Sequence, residues 1–197
     1  MKYRTLIASL LVAFGAAGAY AQTTTATTVQ RDVNQQTRIE TGLQNGSLNT
    51  KEAGRLEKEE SQVDRLQAKD LKDGKLTPAE RAQLRRAQNK TSRDIHAAET
   101  NNVKGNPESK SSERMQADVQ RNVNQEKRVE QGVQAGTLTN REVGTLEKGQ
   151  ARVDRKEARA ARDGHVGKFE QAGIAHKEDK QSEEIFLKKH NAKERKG

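Results

Sequence analysis

The sequence contains no cysteine and no tryptophan, only two prolines, and aromatic residues make up 3% of its 197 positions. Without thiols, disulfides, thiolate metal sites and thiol redox chemistry are excluded together. The scarcity of aromatics removes the stacking platforms that single-stranded nucleic acid requires. Large apolar side chains are also sparse, which allows thin amphipathic helices and excludes a large oily core. Catalytic signatures are equally absent. There is no G-x-S-x-G, no P-loop, no Gly-rich nucleotide fingerprint, and no H-x-x-x-H or E-x-x-H pair, so the chain reads as non-enzymatic and without a required cofactor. The four histidines, His96, His165, His176 and His190, read as solvated. On one helix from Gly167 to His190, His176 and His190 stand about 21 Å apart and cannot share an ion.

An export signal is present. Lys2 and Arg4 precede the apolar run Leu6 to Gly18, and "AYA" at Ala19 to Ala21 provides a small–x–small cleavage pattern before Gln22. The run is shorter than the roughly 20 residues a bilayer span needs. The expected protein is periplasmic or secreted, with no transmembrane segment after cleavage. Its formal charge falls from +9 to +7 with the loss of Lys2 and Arg4. Lysine and arginine interleave with aspartate and glutamate, a pattern that reads as solvated helix faces. The densest basic stretch, Lys188 to Gly197, suits contact with an anionic surface such as lipopolysaccharide, nucleic acid or an acidic protein.

The chain is duplicated. Val29 to Lys58 aligns without gaps to Val119 to Lys148 at an offset of 90 residues, with about half the positions from Val29 to Ala68 identical. A turn phrase recurs twice in each copy, at Asn45, Asp73, Ala135 and Asp163. Between these turns apolar residues recur at helical spacing: Val29, Val33, Ile39 and Leu43; Ala53, Leu56, Val63 and Leu71; Leu84, Thr91 and Ile95. The second copy repeats them, and no strand alternation survives. The expected fold is all-α. It has a signal peptide at 1–21, helical repeat 1 at 22–100, a polar linker at 101–113, helical repeat 2 at 114–192 and a basic tail at 193–197. Each repeat reads as a three-helix, up-down-up unit. Gly54 and Gly144, inside the second helix of each copy, suggest close helix approach, and inheritance from a common ancestral unit explains their recurrence equally well.

"DGKLTPAERAQL", from Asp73 to Leu84, has two readings. As helix chemistry, Gly74 ends one helix, while Thr77, Pro78 and Glu80 cap and start the next. As a loop it resembles half of an EF-hand, with Gly74 at the sixth position and Glu80 at the twelfth. That resemblance implies calcium binding through Asp73 and Glu80, and through Asp163 and Glu170 in the second copy. The first and third ligand positions are Lys69 and Leu71, which departs from the oxygen donors calcium needs. "LTPAERAQL" and "LTNRE" also resemble the L-T-x-x-Q phrase of the Spy/CpxP-like periplasmic chaperones, which implies a small exported helical chaperone. Through its "NQQ-RIE-GLQ-G-LT-KEA" repeats, most of the mature chain resembles small exported proteobacterial proteins of uncharacterised activity. The leading expectation is a non-enzymatic binding or stress-protective module acting through its surfaces. A divalent-cation binder and a chaperone are the alternatives. Phe169, Ile174, Ile185, Phe186 and Leu187 make the last helix the most apolar and the expected contact surface for a protein partner or self-association.

Overall fold

In a computed structural model the chain is all-helical. The structure describes residues 16–191, with side chains from Thr24, so the predicted signal segment and basic tail fall largely outside the described residues. Among the described residues six α-helices follow one another: α1 (Ala16–Asn45), α2 (Thr50–Asp70), α3 (Pro78–Thr100), α4 (Lys110–Gln134), α5 (Asn140–Ala160) and α6 (Lys168–Lys189). A 3₁₀ turn, Ala161–Asp163, extends α5. The first helix runs through the predicted cleavage point before Gln22. Among the described residues no helix is long and apolar enough to cross a membrane.

The turns end and restart helices as their residues dictate. Gly46, Gly74, Gly136 and Gly164 all have φ between 72° and 89°, the left-handed region that costs glycine nothing. Asn49, Thr77 and Thr139 then form reciprocal capping boxes with Glu52, Glu80 and Glu142, each cap contributing about 1 kcal/mol. Leu48 and Leu138 fold back from the turns onto Gly42 and Gly132, where an added Cβ would come within 2.6 Å of the leucine.

The most extensive helix–helix interfaces join the two copies, α2 on α5 and α1 on α4. Helix α3 packs against α1 and α2, and α6 against α4 and α5. The anticipated close approach is realised at both glycines. A Cβ on Gly54 would lie 2.5 Å from Cβ of Ala161, and one on Gly144 would lie 2.9 Å from Cβ of Leu71. The pairs 54/161 and 144/71 exchange under the 90-residue offset, so the copies are related by a pseudo-two-fold axis between α2 and α5.

The apolar interior is split. One cluster gathers Ile39, Leu43, Leu48, Leu56, Met115 and Ile174, with neighbours from all six helices. The other gathers Val129, Val133, Leu138, Leu146, Leu71 and Leu84. Most members of each are the repeat equivalents of the other, so the two clusters sit at opposite ends of the bundle. What lies between them is polar.

Candidate metal centre

The middle of the four-helix layer formed by α1, α2, α4 and α5 is built from acids. Asp32 on α1, Glu57, Glu60 and Asp64 on α2, Glu126 on α4, and Glu147, Asp154 and Glu157 on α5 are each at most 2% exposed. The spacing explains the placement. Glu57, Glu60, Asp64 and Gln67 follow one another at three or four residues, and Glu147, Gln150, Asp154 and Glu157 repeat the spacing on α5. Each set is therefore one inward stripe. This corrects the reading of these acids as solvated. They share a face with the apolar residues, and α5 and α2 press the two stripes together.

No positive charge is buried with them. The buried polar residues are Thr, Ser, Asp, Asn, Glu and Gln alone, with no Lys, Arg or His among the described residues. At least one carboxylate oxygen from each of Glu57, Asp154 and Glu157 falls within 4.8 Å of the others. Carboxamides hold this trio from outside. Gln36 Nε2 donates to Glu57 Oε2 at 2.9 Å, and Asn122 Nδ2 donates to both Glu157 oxygens at 3.0 and 2.8 Å. Gln150 Nε2 donates to Asp154 Oδ1 at 3.0 Å. Glu57 Oε1, Asp154 Oδ2 and both oxygens of Glu60 are buried with no hydrogen-bond partner.

Burial is the main cause of a raised pKa throughout the layer, because the charged form loses its water. Asp32 and Asp154 are pushed up to about 7, and for Asp32 the Asp154 carboxylate adds to the effect. Glu57, Glu60, Asp64, Glu126, Glu147 and Glu157 are raised well above the ordinary carboxylate range, first by burial. Neighbouring carboxylates then raise each of them further. At the edge of the layer Asp118 is raised to about 7 and Glu178 to about 8, again first by burial. The Arg121 Nε–Glu178 Oε2 contact of 3.2 Å only partly offsets this.

The arrangement offers carboxylate oxygens in a buried interior, where side chains of α2 and α5 converge and carboxamides of α1 and α4 flank them. Such a donor set suits a hard divalent cation and does not suit metals that prefer nitrogen or sulfur.

The residues singled out from sequence lie elsewhere. Asp73 Oδ1 accepts from Lys75 N and Asp163 Oδ1 from His165 N, both at 2.9 Å. Glu80 Oε2 accepts from Thr77 N at 2.7 Å and Glu170 Oε2 from Gly167 N at 2.9 Å. Each of the four thus has one oxygen held by its own turn, and the Arg141 guanidinium donates to Asp73 O at 3.2 Å, placing a cation over the first of them. Ile174 and Ile185 are fully buried in the two apolar clusters and cannot face a partner. Phe169, at 95% exposure, and Phe186 and Leu187, both over half exposed, do face outward, with the Phe186 ring 4.2 Å from that of His190. All four histidines are exposed, away from the acidic layer. On the outer face of α2 and α5, Arg55, Lys58, Arg65, Arg155, Arg159 and Arg162 line a groove of about 840 Å³. None of these six forms an ion pair among the described residues, and mutual repulsion lowers the pKa of Arg155.

The buried acids were missed by the sequence reading, although a signal existed. Glu57, Glu60 and Gln67 each follow an apolar residue of the inward face, Ala53, Leu56 and Val63, by four positions. No protein-family model, curated protein or solved structure matches the chain.

Proposed function

We propose that this is an exported, non-enzymatic helical protein that binds a hard divalent cation, Ca²⁺ or Mn²⁺ by its chemistry, between Glu57, Asp154 and Glu157. In this reading residues 1–21 are removed on export, and 22–100 and 114–192 are the two three-helix units. Their interface holds the ion, while the basic groove along α2 and α5 is open to an anionic partner. The observation that carries the proposal is the burial of eight carboxylates with no buried cation beside them.

Magnitudes support it. An uncompensated buried charge costs several kcal/mol even after relaxation. A domain's whole stability is only about 5–15 kcal/mol. Eight ionised carboxylates would exceed that reserve, so the folded centre is neutralised either by protons on these acids or by positive charge from outside the chain, and a bound cation supplies the second route. Three carboxylates can supply up to six oxygens, within the range calcium accepts. The turn carboxylates Asp73, Glu80, Asp163 and Glu170 are not part of this ligand set.

The test is thermal unfolding of the mature protein at pH 7.5 in chelator and then in Ca²⁺ or Mn²⁺. At a cation concentration a hundredfold above Kd, the expected rise in Tm is about 5–10 °C. Glu157→Gln should abolish most of it, while Glu80→Gln should leave it in place. An unchanged Tm with both ions, in a protein shown by mass spectrometry to be metal-free, would overturn the reading.

A further inference from the structure

Each residue of the Glu57–Asp154–Glu157 centre has a counterpart 90 residues away. The three ligands map to Glu147, Asp64 and Gln67, and the flanking carboxamides Gln36 and Asn122 map to Glu126 and Asp32. The pseudo-two-fold axis brings these five counterparts together in the same interior layer, as the electrostatics records. Asp64 is raised by the charges of Glu147 and Glu126, and Glu147 by those of Glu126 and Asp32. The Gln67 carboxamide lies beside both Asp32 and Glu147.

Resting on the cation-binding reading above, we infer that the chain holds a second divalent-cation site, formed by Asp32, Asp64, Gln67, Glu126 and Glu147, so that the bundle carries a two-ion centre.

Two features support the second site independently of its acidity. The first is Gln67, which is fully buried, with its amide toward Asp32 and Glu147 and its carbonyl oxygen without a hydrogen-bond partner. A buried carbonyl without a donor is unfavourable in the cation-free fold. Its carbonyl is an appropriate oxygen donor to a hard cation. Around it, both oxygens of Glu147 and one oxygen each of Asp32, Asp64 and Glu126 are also buried without a partner.

The second feature is an exchange of functional groups across the axis. Position 67 is a carboxamide where 157 is a carboxylate, 36 is a carboxamide where 126 is a carboxylate, and 122 is a carboxamide where 32 is a carboxylate. The five positions therefore stay oxygen-bearing in both halves, while charge moves from one side to the other. The first centre has three carboxylates and two carboxamides, and the second has four carboxylates and one carboxamide. Glu60 and Gln150 show the same exchange between them. Substitutions at these positions that keep length and oxygen donors, and change only charge, are what a pair of ion sites sharing one interior permits.

The experiment is metal stoichiometry on the full mature chain. Protein stripped with chelator is equilibrated with Mn²⁺, freed of excess ion, and measured by elemental mass spectrometry per mole of chain. Two ions per chain are expected for the natural protein, and one in each of the isosteric variants Glu147→Gln and Glu157→Gln. One ion in the natural protein, lost in Glu157→Gln and kept in Glu147→Gln, would overturn the second site and leave the first standing. No retained ion would overturn both. Should either variant fail to fold by circular dichroism, the count on the natural chain still decides between two, one and none. Spin–spin broadening of the Mn²⁺ resonance in the two-ion protein, absent from whichever variant folds, is the expected companion signature.

Discussion

At the scale of single residues, Glu178 shows how an acid can be held in the interior at a cost. Its side chain is fully buried, its one charged contact is Arg121 Nε at 3.2 Å, and its pKa is raised to about 8. The repeat equivalent is Gln88, whose Nε2 donates to Asp32 Oδ1 at 2.7 Å, so the fold accepts a carboxamide at this position in the other copy. A carboxyl with a folded pKa above its unfolded value stabilises fully below the unfolded pKa and loses that contribution as pH rises through the folded value. For Glu178 the window runs from 4.5 to about 8. Glu178→Gln should therefore leave stability at pH 5 nearly unchanged and raise it at pH 9. The gain should be on the order of 2 kcal/mol, net of the lost Arg121 pair. Urea unfolding of the natural protein and the variant at the two pH values checks this; a variant that is less stable at pH 9 would show that Arg121 neutralises the acid.

At the scale of elements, the contact between α2 and α5 sets the spacing of the whole layer. An interior glycine normally costs about 1 kcal/mol against alanine, so Gly54→Ala on a free helix surface would stabilise. Here the new methyl would stand 2.5 Å from Cβ of Ala161, inside any permitted contact. Gly54→Ala should destabilise by roughly 1–3 kcal/mol as the helices are pushed apart. Ala161→Gly in the same chain should recover most of the loss, because it removes the opposing Cβ. A double-mutant cycle by chemical denaturation measures this coupling, and additive effects would place the closest approach elsewhere. Much of this element-level structure was legible in the sequence. The 90-residue offset, the four glycine turns with their caps, and the apolar positions from Val29 to Ile185 all lie where the helical period puts them. The acidic layer was not read, for a physical reason. A stripe such as Glu57, Glu60 and Asp64 is surrounded along the chain by Arg55, Lys58 and Arg65, and local sequence reads that mixture as a wetted face. Only the pairing of α2 with α5 turns one stripe toward the other. Nothing in either helix alone announces that partner.

At the scale of the whole molecule, the interior is layered from apolar cluster to acidic middle to apolar cluster. The two ends are held by hydrophobic burial and are indifferent to ions, whereas the middle carries the charge. With the proposed cation in the middle, its removal should therefore loosen the centre before the ends. Hydrogen exchange followed by mass spectrometry is expected to show at least a tenfold loss of protection in the central turns of α2 and α5 on chelation. The turns around Leu48 and Leu138 should keep theirs. A uniform loss along all six helices would indicate that the ion supports global folding and not the middle layer.

The position of the pseudo-two-fold axis also bears on how such a molecule arises. Both proposed centres draw on both copies: Gln36 and Glu57 with Asn122, Asp154 and Glu157, and Asp32, Asp64 and Gln67 with Glu126 and Glu147. One copy alone carries only part of each proposed ligand set, so an unduplicated chain could complete either set only as a homodimer around a true two-fold axis. In that dimer every acid would appear twice, and no position could be carboxylate on one side and carboxamide on the other. Fusion into one chain lifted the constraint of identity, allowing the negative charge of the interior to be set in single steps where a homodimer could change it only in pairs.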